Sequence, residues 1–227
     1  MQDTNIPFVV KIGGSTLGSH DTTLEDLVSL SRKGLQPIVV HGGGNVVSKW
    51  MERQGNLPRF VRGLRVTDPA SLDIATAVLT GLVNKELVAA LIRLQARALG
   101  LSGVDGGMLQ AEIQDPELGF VGRIVTVDPQ PILQVLAGGY IPVIAPIGLH
   151  HMDGSPNAGC LLNINADTAA GEIAHALNVR KLIFLTDTAG VLDSSGRVIS
   201  RITSSRGHSL LNSGIIKGGM LPKLEAC

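Results

Sequence analysis

The sequence has few cysteines, few aromatic residues and no net charge. Two cysteines, Cys160 and Cys227, are too few for a disulfide framework, which favours a reducing compartment. Four Phe, one Trp and one Tyr provide little material for a surface that stacks on nucleic-acid bases. Nineteen basic and nineteen acidic residues cancel, so we expect no broad attraction to nucleic acid or to an anionic membrane.

We also expect neither a targeting signal nor a membrane-spanning segment. No signal peptide opens the chain, and we expect no apolar run of about 18 residues that could span a membrane. These absences predict a cytoplasmic protein with neither membrane nor nucleic-acid partners. The 227 residues suffice for one large α/β domain or two small ones.

Glycine, by contrast, is abundant, and its distribution outlines the fold. The 28 glycines have no collagen-like period and cluster at the ends of apolar runs. In the first half, strand-like segments such as "PFVVKI" and "QPIVV" alternate with helix-like ones, and this order predicts a parallel sheet with right-handed crossovers. In the middle of the chain, two short strands about the turn "DPELG" predict a hairpin.

A long apolar helical pattern follows Asp68. Asp68 and Pro69 form a favourable helix start, and a second helical stretch runs from about Asn84 to Leu99. Apolar residues recur at helical spacing at Leu72, Ala75, Val78, Leu79 and Leu82. They exceed what one narrow core stripe needs, which predicts a two-fold dimer interface, although the same pattern could be wholly intramolecular.

Two glycine-rich segments, "KIGGS" and "HGGGN", follow neighbouring predicted strands. The carboxyl ends of parallel strands border the usual ligand crevice of an open α/β sheet, and backbone N–H groups freed by glycine favour an anion there. Lys11, at the end of the first strand, could present its ammonium to a phosphate. It could equally extend its ammonium to water.

Common glycine-loop signatures do not fit "VVHGGGNVV". Val47 stands where the dinucleotide-binding fingerprint needs its third glycine, and no ordinary P-loop sequence occurs. The HGGG run resembles the oxyanion loop of lipases, but the G-x-S-x-G nucleophile motif is missing. The spacing of His41, His150 and His151 matches no zinc pattern, so we assign no metal ligand.

Six motifs in register give the chain a specific resemblance. "VVKIGGS", "VVHGGGN", "GLRVTD", "NINADTAA", "LTDTAGVLD" and "IIKGGMLPKLEA" occur in the order seen in the acetylglutamate kinases of the amino acid kinase family. The resemblance implies a three-layer αβα sandwich around a mostly parallel sheet, whose C-terminal end is expected to be missing after Cys227. It implies acceptor binding and dimerisation by residues 1–178, and the start of a nucleotide-binding part at residues 179–227.

The activity that the resemblance implies is a phosphoryl transfer. ATP, carrying Mg²⁺, would phosphorylate the side-chain carboxylate of N-acetyl-L-glutamate to N-acetylglutamyl 5-phosphate in arginine biosynthesis, in a homodimer. Such chemistry needs positioning and positive charge rather than a covalent nucleophile. A kinase for aminoadipate, glutamate or carbamate, or a non-catalytic ligand-binding regulatory homologue, stays open as an alternative.

The resemblance also implies a set of site residues. The catalytic group comprises two lysines and the aspartate that holds both: Lys11, Lys223 and Asp167. The substrate-binding residues are Gly43, Gly44, Arg65 and Asn163. The nucleotide-binding residues are Gly13, Gly14, Thr186, Asp187, Gly190, Val191, Lys217, Gly218, Gly219 and Met220. By sequence alone, Arg65 could be an ordinary surface arginine, Asp167 a helix N-cap, and Asn163 a turn residue.

Overall fold

Strands alternate with helices through the residues that the computed structural model describes, which are 6–13, 22–151, 154, 158–193, 195–212 and 220–226. The strands are β1 (Pro7–Ile12), β2 (Gln36–His41), β3 (Phe60–Val61), β4 (Leu64–Arg65), β5 (Ala98–Ser102), β6 (Leu109–Ile113), β7 (Val121–Val127), β8 (Ile141–Ala145), β9 (Ile147–His150), β10 (Leu161–Ile164) and β11 (Leu182–Leu185). The α-helices are α1 (Thr23–Arg32), α2 (Gly44–Arg53), α3 (Pro69–Thr76), α4 (Asn84–Arg93), α5 (Gln130–Ala137), α6 (Ala166–Ala176), α7 (Ser204–Asn212) and α8 (Met220–Glu225). A π-helical segment, Ala77–Val83, joins α3 to α4.

Within the described residues, five parallel strands form the central sheet, in the order β11-β1-β2-β8-β5. Successive residues of β1 point to opposite faces, yet Val9 and Val10 are both buried, as in a strand covered by helices on both sides. One core packs between the sheet and α1 to α4, and a second lies on the other face with α5 and α6. The three-layer αβα arrangement and the parallel sheet are therefore confirmed.

A small closed barrel accompanies the central sheet, with the strand order β10-β7-β6-β9. Its β6 and β7 are antiparallel, which confirms the hairpin predicted about the "DPELG" turn. The apolar run "IPVIAPIG" is divided at Pro146, so that β8 belongs to the central sheet and β9 to the barrel. Proline suits such a junction because it lacks the N–H that continues a ladder.

The helix after Asp68 begins where the sequence predicts, because the Asp68 side chain accepts a hydrogen bond from the Ser71 N–H at 2.7 Å. It ends at Arg93 rather than near Leu99. Gln95 has a positive φ of 62°, which stops the helix, and the chain then enters β5, a strand that the sequence pattern did not reveal.

The apolar positions of this helix serve mainly the protein's own core. Leu72, Ala75, Val78 and Leu79 are buried within the chain, and Leu82 is half-buried. The argument that they exceed the needs of the core is therefore wrong for four of the five positions. Any contact with a second subunit must use the remaining surface of the helix.

The expectation that no segment could span a membrane is also wrong as a statement about length and composition. Pro69–Arg93 forms a continuous helix of 25 residues. An 18-residue segment of this helix has a mean hydropathy of 1.5. In that segment, 44 % is buried inside the fold, where it packs against the sheet and α2. A buried core helix passes the same test of length and composition.

Candidate active site

A crevice opens at the carboxyl ends of β1 and β2, where the sequence places its glycine-rich segments. The cavity is about 220 Å³ in volume, below the range of about 300–1,000 Å³ typical of drug-sized ligands. Five predicted site residues line it together: Lys11, Gly43, Gly44, Arg65 and Asn163. Side chains from β1, β4 and β10 thus meet the glycine loop at the start of α2, in a space suited to a small substrate.

Two lysines share one buried carboxylate. The Nζ of Lys11 lies 3.0 Å from Oδ1 of Asp167, and the Nζ of Lys223 donates to Oδ2 of the same carboxylate at 2.9 Å. Lys11 and Asp167 are only 8 % and 6 % exposed. Lys11 therefore points into the protein rather than to bulk water, and the cluster carries one positive charge more than its carboxylate can balance.

Asp167 is available to the lysines because another residue caps its helix. The Oδ1 of Asn165 accepts hydrogen bonds from the N–H groups of Asp167 and Thr168, at 2.9 and 3.1 Å. Asn165 is thus the N-cap of α6, and the alternative reading of Asp167 as that cap is excluded. Asp167 lies in the first turn instead, where the helix dipole also favours its negative charge.

A close contact between α6 and α8 brings Lys223 to the carboxylate. A Cβ built on Gly171 would lie 2.6 Å from the Cβ of Ala226 and 3.0 Å from its Cα. Only glycine lets the backbone at the end of α8 approach α6 this closely. Lys223 lies one turn before Ala226 and is thereby placed within reach of Asp167.

Arg65 is buried with neutral partners. It is 8 % exposed and donates to the Gly44 carbonyl and to Ser48 Oγ, each at 2.8 Å, while its guanidinium lies 4.7 Å from the Phe60 ring centroid. Burial lowers the pKa of the guanidinium from its ordinary value. No Asp or Glu of the described part of the chain pairs with it, so a carboxylate ligand would supply the missing negative charge.

Thr67 links Arg65 to Asn163, a role that no pattern in the sequence predicts. The fully buried Thr67 hydroxyl donates to the Arg65 carbonyl at 2.9 Å and accepts from Asn163 Nδ2 at 3.1 Å. Because the one hydroxyl hydrogen is already used, the Asn163 amide must present its nitrogen to Thr67. The side chain of Asn163 is therefore held in a fixed orientation beside the cavity.

A second cavity, of about 420 Å³, includes one of the positions predicted to bind nucleotide. Val191 lines it together with residues of α7 and with Leu224, the neighbour of Lys223 on α8. Thr186 and Asp187 follow β11 and do not line this second cavity. Other predicted nucleotide positions lie elsewhere: Gly13 follows β1, Gly190 precedes Val191, and Met220 begins α8. Four predicted positions fall outside the described residues: Gly14, Lys217, Gly218 and Gly219.

Comparisons with known proteins identify the family of the chain. The model of the amino acid kinase family matches residues 7–227. An acetylglutamate kinase from Dehalococcoides mccartyi (strain CBDB1) is 43 % identical over 226 residues, which cover 100 % of this chain and 83 % of that protein. An acetylglutamate kinase from Thermoanaerobacter pseudethanolicus is 44 % identical over 227 residues, covering 96 % and 74 %.

Solved structures share the fold. The structure of smu.665 from Streptococcus mutans UA159 superposes with a TM-score of 0.85 at 30 % identity, covering 97 % of this chain and 88 % of that one. N-acetylglutamate synthase from Neisseria gonorrhoeae, in complex with coenzyme A and N-acetyl-glutamate, gives 0.77 at 25 % identity, covering 97 % and 50 %. With the family match spanning nearly every residue, the chain belongs to the amino acid kinase family.

Proposed function

We propose that this protein is an acetylglutamate kinase, which uses ATP to phosphorylate the side-chain carboxylate of N-acetyl-L-glutamate. The observation that carries the proposal is the buried Lys11–Asp167–Lys223 cluster beside the Arg65 cavity, which no Asp or Glu of the described residues lines. The 43 % identity to the Dehalococcoides enzyme over the whole chain supports the choice of acceptor. The product would be an acyl phosphate of arginine biosynthesis.

Two lysines and one carboxylate suit the charge changes of this reaction. An oxygen of the acceptor carboxylate attacks the γ-phosphorus of ATP, and the bond to the β,γ-bridging oxygen breaks, so ADP leaves with the negative charge. Lys11 would contact the phosphoryl group in transit, and Lys223 would act on the ATP side. Asp167 holds both ammonium groups in place, so little reorganisation is needed as charge moves.

Acceptor binding is assigned to the residues around the first cavity. Arg65 would bond the α-carboxylate through the guanidinium N–H groups that it does not donate to Gly44 and Ser48, and Asn163 would hold the same end of the molecule. The N–H groups of Gly43 and Gly44 would face the side-chain carboxylate and the phosphoryl group. Gly13 and Gly14 would face them from the opposite side.

The nucleotide is assigned to the second cavity and the segments around it. Among the described residues, those that line this cavity belong to 179–227 and those that line the first belong to 1–178, which supports the proposed division into acceptor and nucleotide parts. The segments that contain Thr186, Asp187, Gly190, Val191 and Met220 would contact adenosine and phosphates. Lys217, Gly218 and Gly219 would complete them.

Mg²⁺ is proposed to arrive with the nucleotide. Within the described ranges, no cluster of three His, Cys, Asp or Glu side chains could hold a metal ion. Mg²⁺ commonly keeps several waters and binds through substrate phosphates rather than in an all-protein cage. The chain's own contribution is therefore positioning and positive charge. We also propose a cytoplasmic location, where ATP is available.

A homodimer is proposed through the outer face of the helix after Asp68. Ala77, Gly81 and Leu82 surround a shallow apolar cavity of about 320 Å³ together with Trp50, which is 37 % exposed. Exposed apolar surfaces of this kind mark protein–protein contacts, and a two-fold axis would bring two copies of this face together.

ATP consumption with several acceptors tests the proposal. We expect turnover with N-acetyl-L-glutamate and far slower turnover with glutamate, aminoadipate or carbamate, because the pocket would bind an uncharged acetamido group. Comparable turnover of unacetylated glutamate would contradict the acceptor assignment. Binding of acceptor without ATP consumption would favour a regulatory homologue instead.

A further inference from the structure

His41 is a buried polar residue that the proposed chemistry does not use. It ends β2, directly before the glycine loop, and is 1 % exposed. Both ring nitrogens have partners: Nδ1 lies 2.8 Å from the Gly42 carbonyl oxygen, and Nε2 lies 3.2 Å from Nδ2 of Asn84. The ring does not line the crevice, whereas Gly42, Gly43 and Gly44 do.

The partners of His41 determine where its proton lies. A carbonyl oxygen can only accept, so Nδ1 must carry the hydrogen, and Nε2 is then the acceptor that faces the Asn84 amide. Asn84 Nδ2 shares its two hydrogens among His41 Nε2, the Val143 carbonyl and the Leu101 carbonyl, the last at 3.3 Å. The amide orientation is itself fixed, because Asn84 Nδ2 donates to the Val143 carbonyl at 2.8 Å and Lys85 donates to Asn84 Oδ1 at 3.0 Å. Burial lowers the pKa of His41 to about 4, which keeps the ring neutral.

This hydrogen bond constrains the direction of the next N–H group. The peptide unit between Gly42 and Gly43 is planar and trans, so its carbonyl and its N–H point in opposite directions. Holding the Gly42 oxygen against the buried imidazole turns the Gly43 N–H away from the ring, and Gly43 itself lines the crevice. Glycine has no side chain to restrict the backbone, so the restraint must come from a neighbour.

We propose that His41 is a positioning residue, which holds the Gly42–Gly43 peptide so that the Gly43 N–H is aimed at the transferred phosphoryl group. The inference rests on the proposed kinase function. Asn84 supports the ring from the helix behind it. The effect of His41 on catalysis is therefore exerted through a backbone donor and not by contact with substrate.

Two substitutions at position 41 separate positioning from packing. His41→Leu removes both hydrogen bonds, and we expect kcat to fall about tenfold or more, approaching the 10²–10³ seen when such a donor is lost altogether. His41→Asn places an amide near the former Nδ1, so it can donate to the Gly42 carbonyl although it cannot reach Asn84. We expect His41→Asn to recover most of kcat, with the KM values for ATP and acceptor little changed.

His150 offers a matched control. It is buried, and its Nδ1 lies 3.2 Å from the carbonyl oxygen of the following residue, His151, at the end of β9. His150→Leu therefore repeats the same chemical change away from the crevice, and we expect a lower Tm with unchanged kcat. A merely structural role for His41 predicts that His41→Leu behaves like His150→Leu.

Several results would overturn the inference. One is a folded His41→Leu variant that keeps the wild-type kcat. Another is a His41→Asn variant whose kcat is no higher than that of His41→Leu. Imidazole ¹⁵N NMR of the wild-type protein gives a test that needs no activity or substitution, and an Nε2–H tautomer of His41 would refute the geometry. A wild type inactive with every acceptor would contradict the proposed function itself, whereas an active wild type with an indifferent His41 contradicts only the positioning role.

Discussion

Replacing Lys11 by methionine tests the centre of the proposed site. The substitution keeps most of the length and apolar stem of the side chain and removes one buried ammonium. Asp167 keeps its 2.9 Å partner Lys223, so the change leaves a balanced ion pair rather than an unpaired buried charge. We therefore expect the fold to survive.

The expected kinetic effect follows from the charge that is lost. One ammonium about 4 Å from a charged phosphoryl oxygen contributes about 4 kcal/mol of Coulomb attraction at an effective dielectric constant of about 20. Loss of one preorganised contact typically lowers kcat about 10²–10³-fold, a similar magnitude. ATP binding should weaken much less. Lys11→Arg should also be poor, since a broad guanidinium does not replace a compact charge beside glycine backbone.

Initial rates at saturating ATP and acceptor would measure this effect, with circular dichroism as the folding control. Lys33→Met is a matched variant, because Lys33 is exposed beyond the end of α1, and it should leave kcat unchanged. A folded Lys11→Met enzyme that keeps more than about a tenth of kcat, far above the expected loss, would refute the catalytic role.

Two further predictions concern the acceptor pocket. Arg65→Ala removes a charge-assisted bond to the acceptor, so its KM should rise by an amount that corresponds to about 1.5–3 kcal/mol of lost binding free energy. The effect on kcat should be smaller. An unchanged KM with a collapsed kcat would contradict this assignment. Thr67→Val should raise the same KM by about 0.5–1.5 kcal/mol for each hydrogen bond lost, whereas Thr67→Ser, which keeps the hydroxyl, should stay near wild type. Equal behaviour of the two Thr67 variants in acceptor titrations would exclude a role for the hydroxyl.

The sequence predicts those parts of the fold that depend on neighbours along the chain. The apolar runs predict the parallel strands, and Asp68 with Pro69 predicts the start of α3, because burial and capping are local in origin. Lys11, Gly43, Gly44, Arg65 and Asn163 meet in one cavity. Their convergence required the family resemblance as well as the strand-end argument, since only the lysine and glycines follow adjacent predicted strands.

Other features depend on choices that no single segment reveals. Asn165 and Asp167 are both good N-caps, and the choice of Asn165 emerges only from the fold that brings two lysines to Asp167. The end of α4 depends on a non-glycine residue, Gln95, that takes a positive φ. Closure of the barrel depends on strand pairings distant in sequence, such as β6 with β9.

Sharing Asp167 between Lys11 and Lys223 has a consequence for the order in which the protein becomes active. Lys11 belongs to the first described strand and Lys223 to the last described helix, and the contact between Lys223 and Asp167 spans 56 residues of the sequence. A contact of this separation carries a loop-closure cost that local contacts do not, so we expect it to form after the neighbouring helices and strands. A nascent chain on the ribosome would hold Asp167 with Lys11 alone, and a protease that severed α8 would return it to that state. Phosphoryl transfer would then require α8 to pack against Gly171. A protein with an intact parallel sheet but an undocked α8 would be inactive.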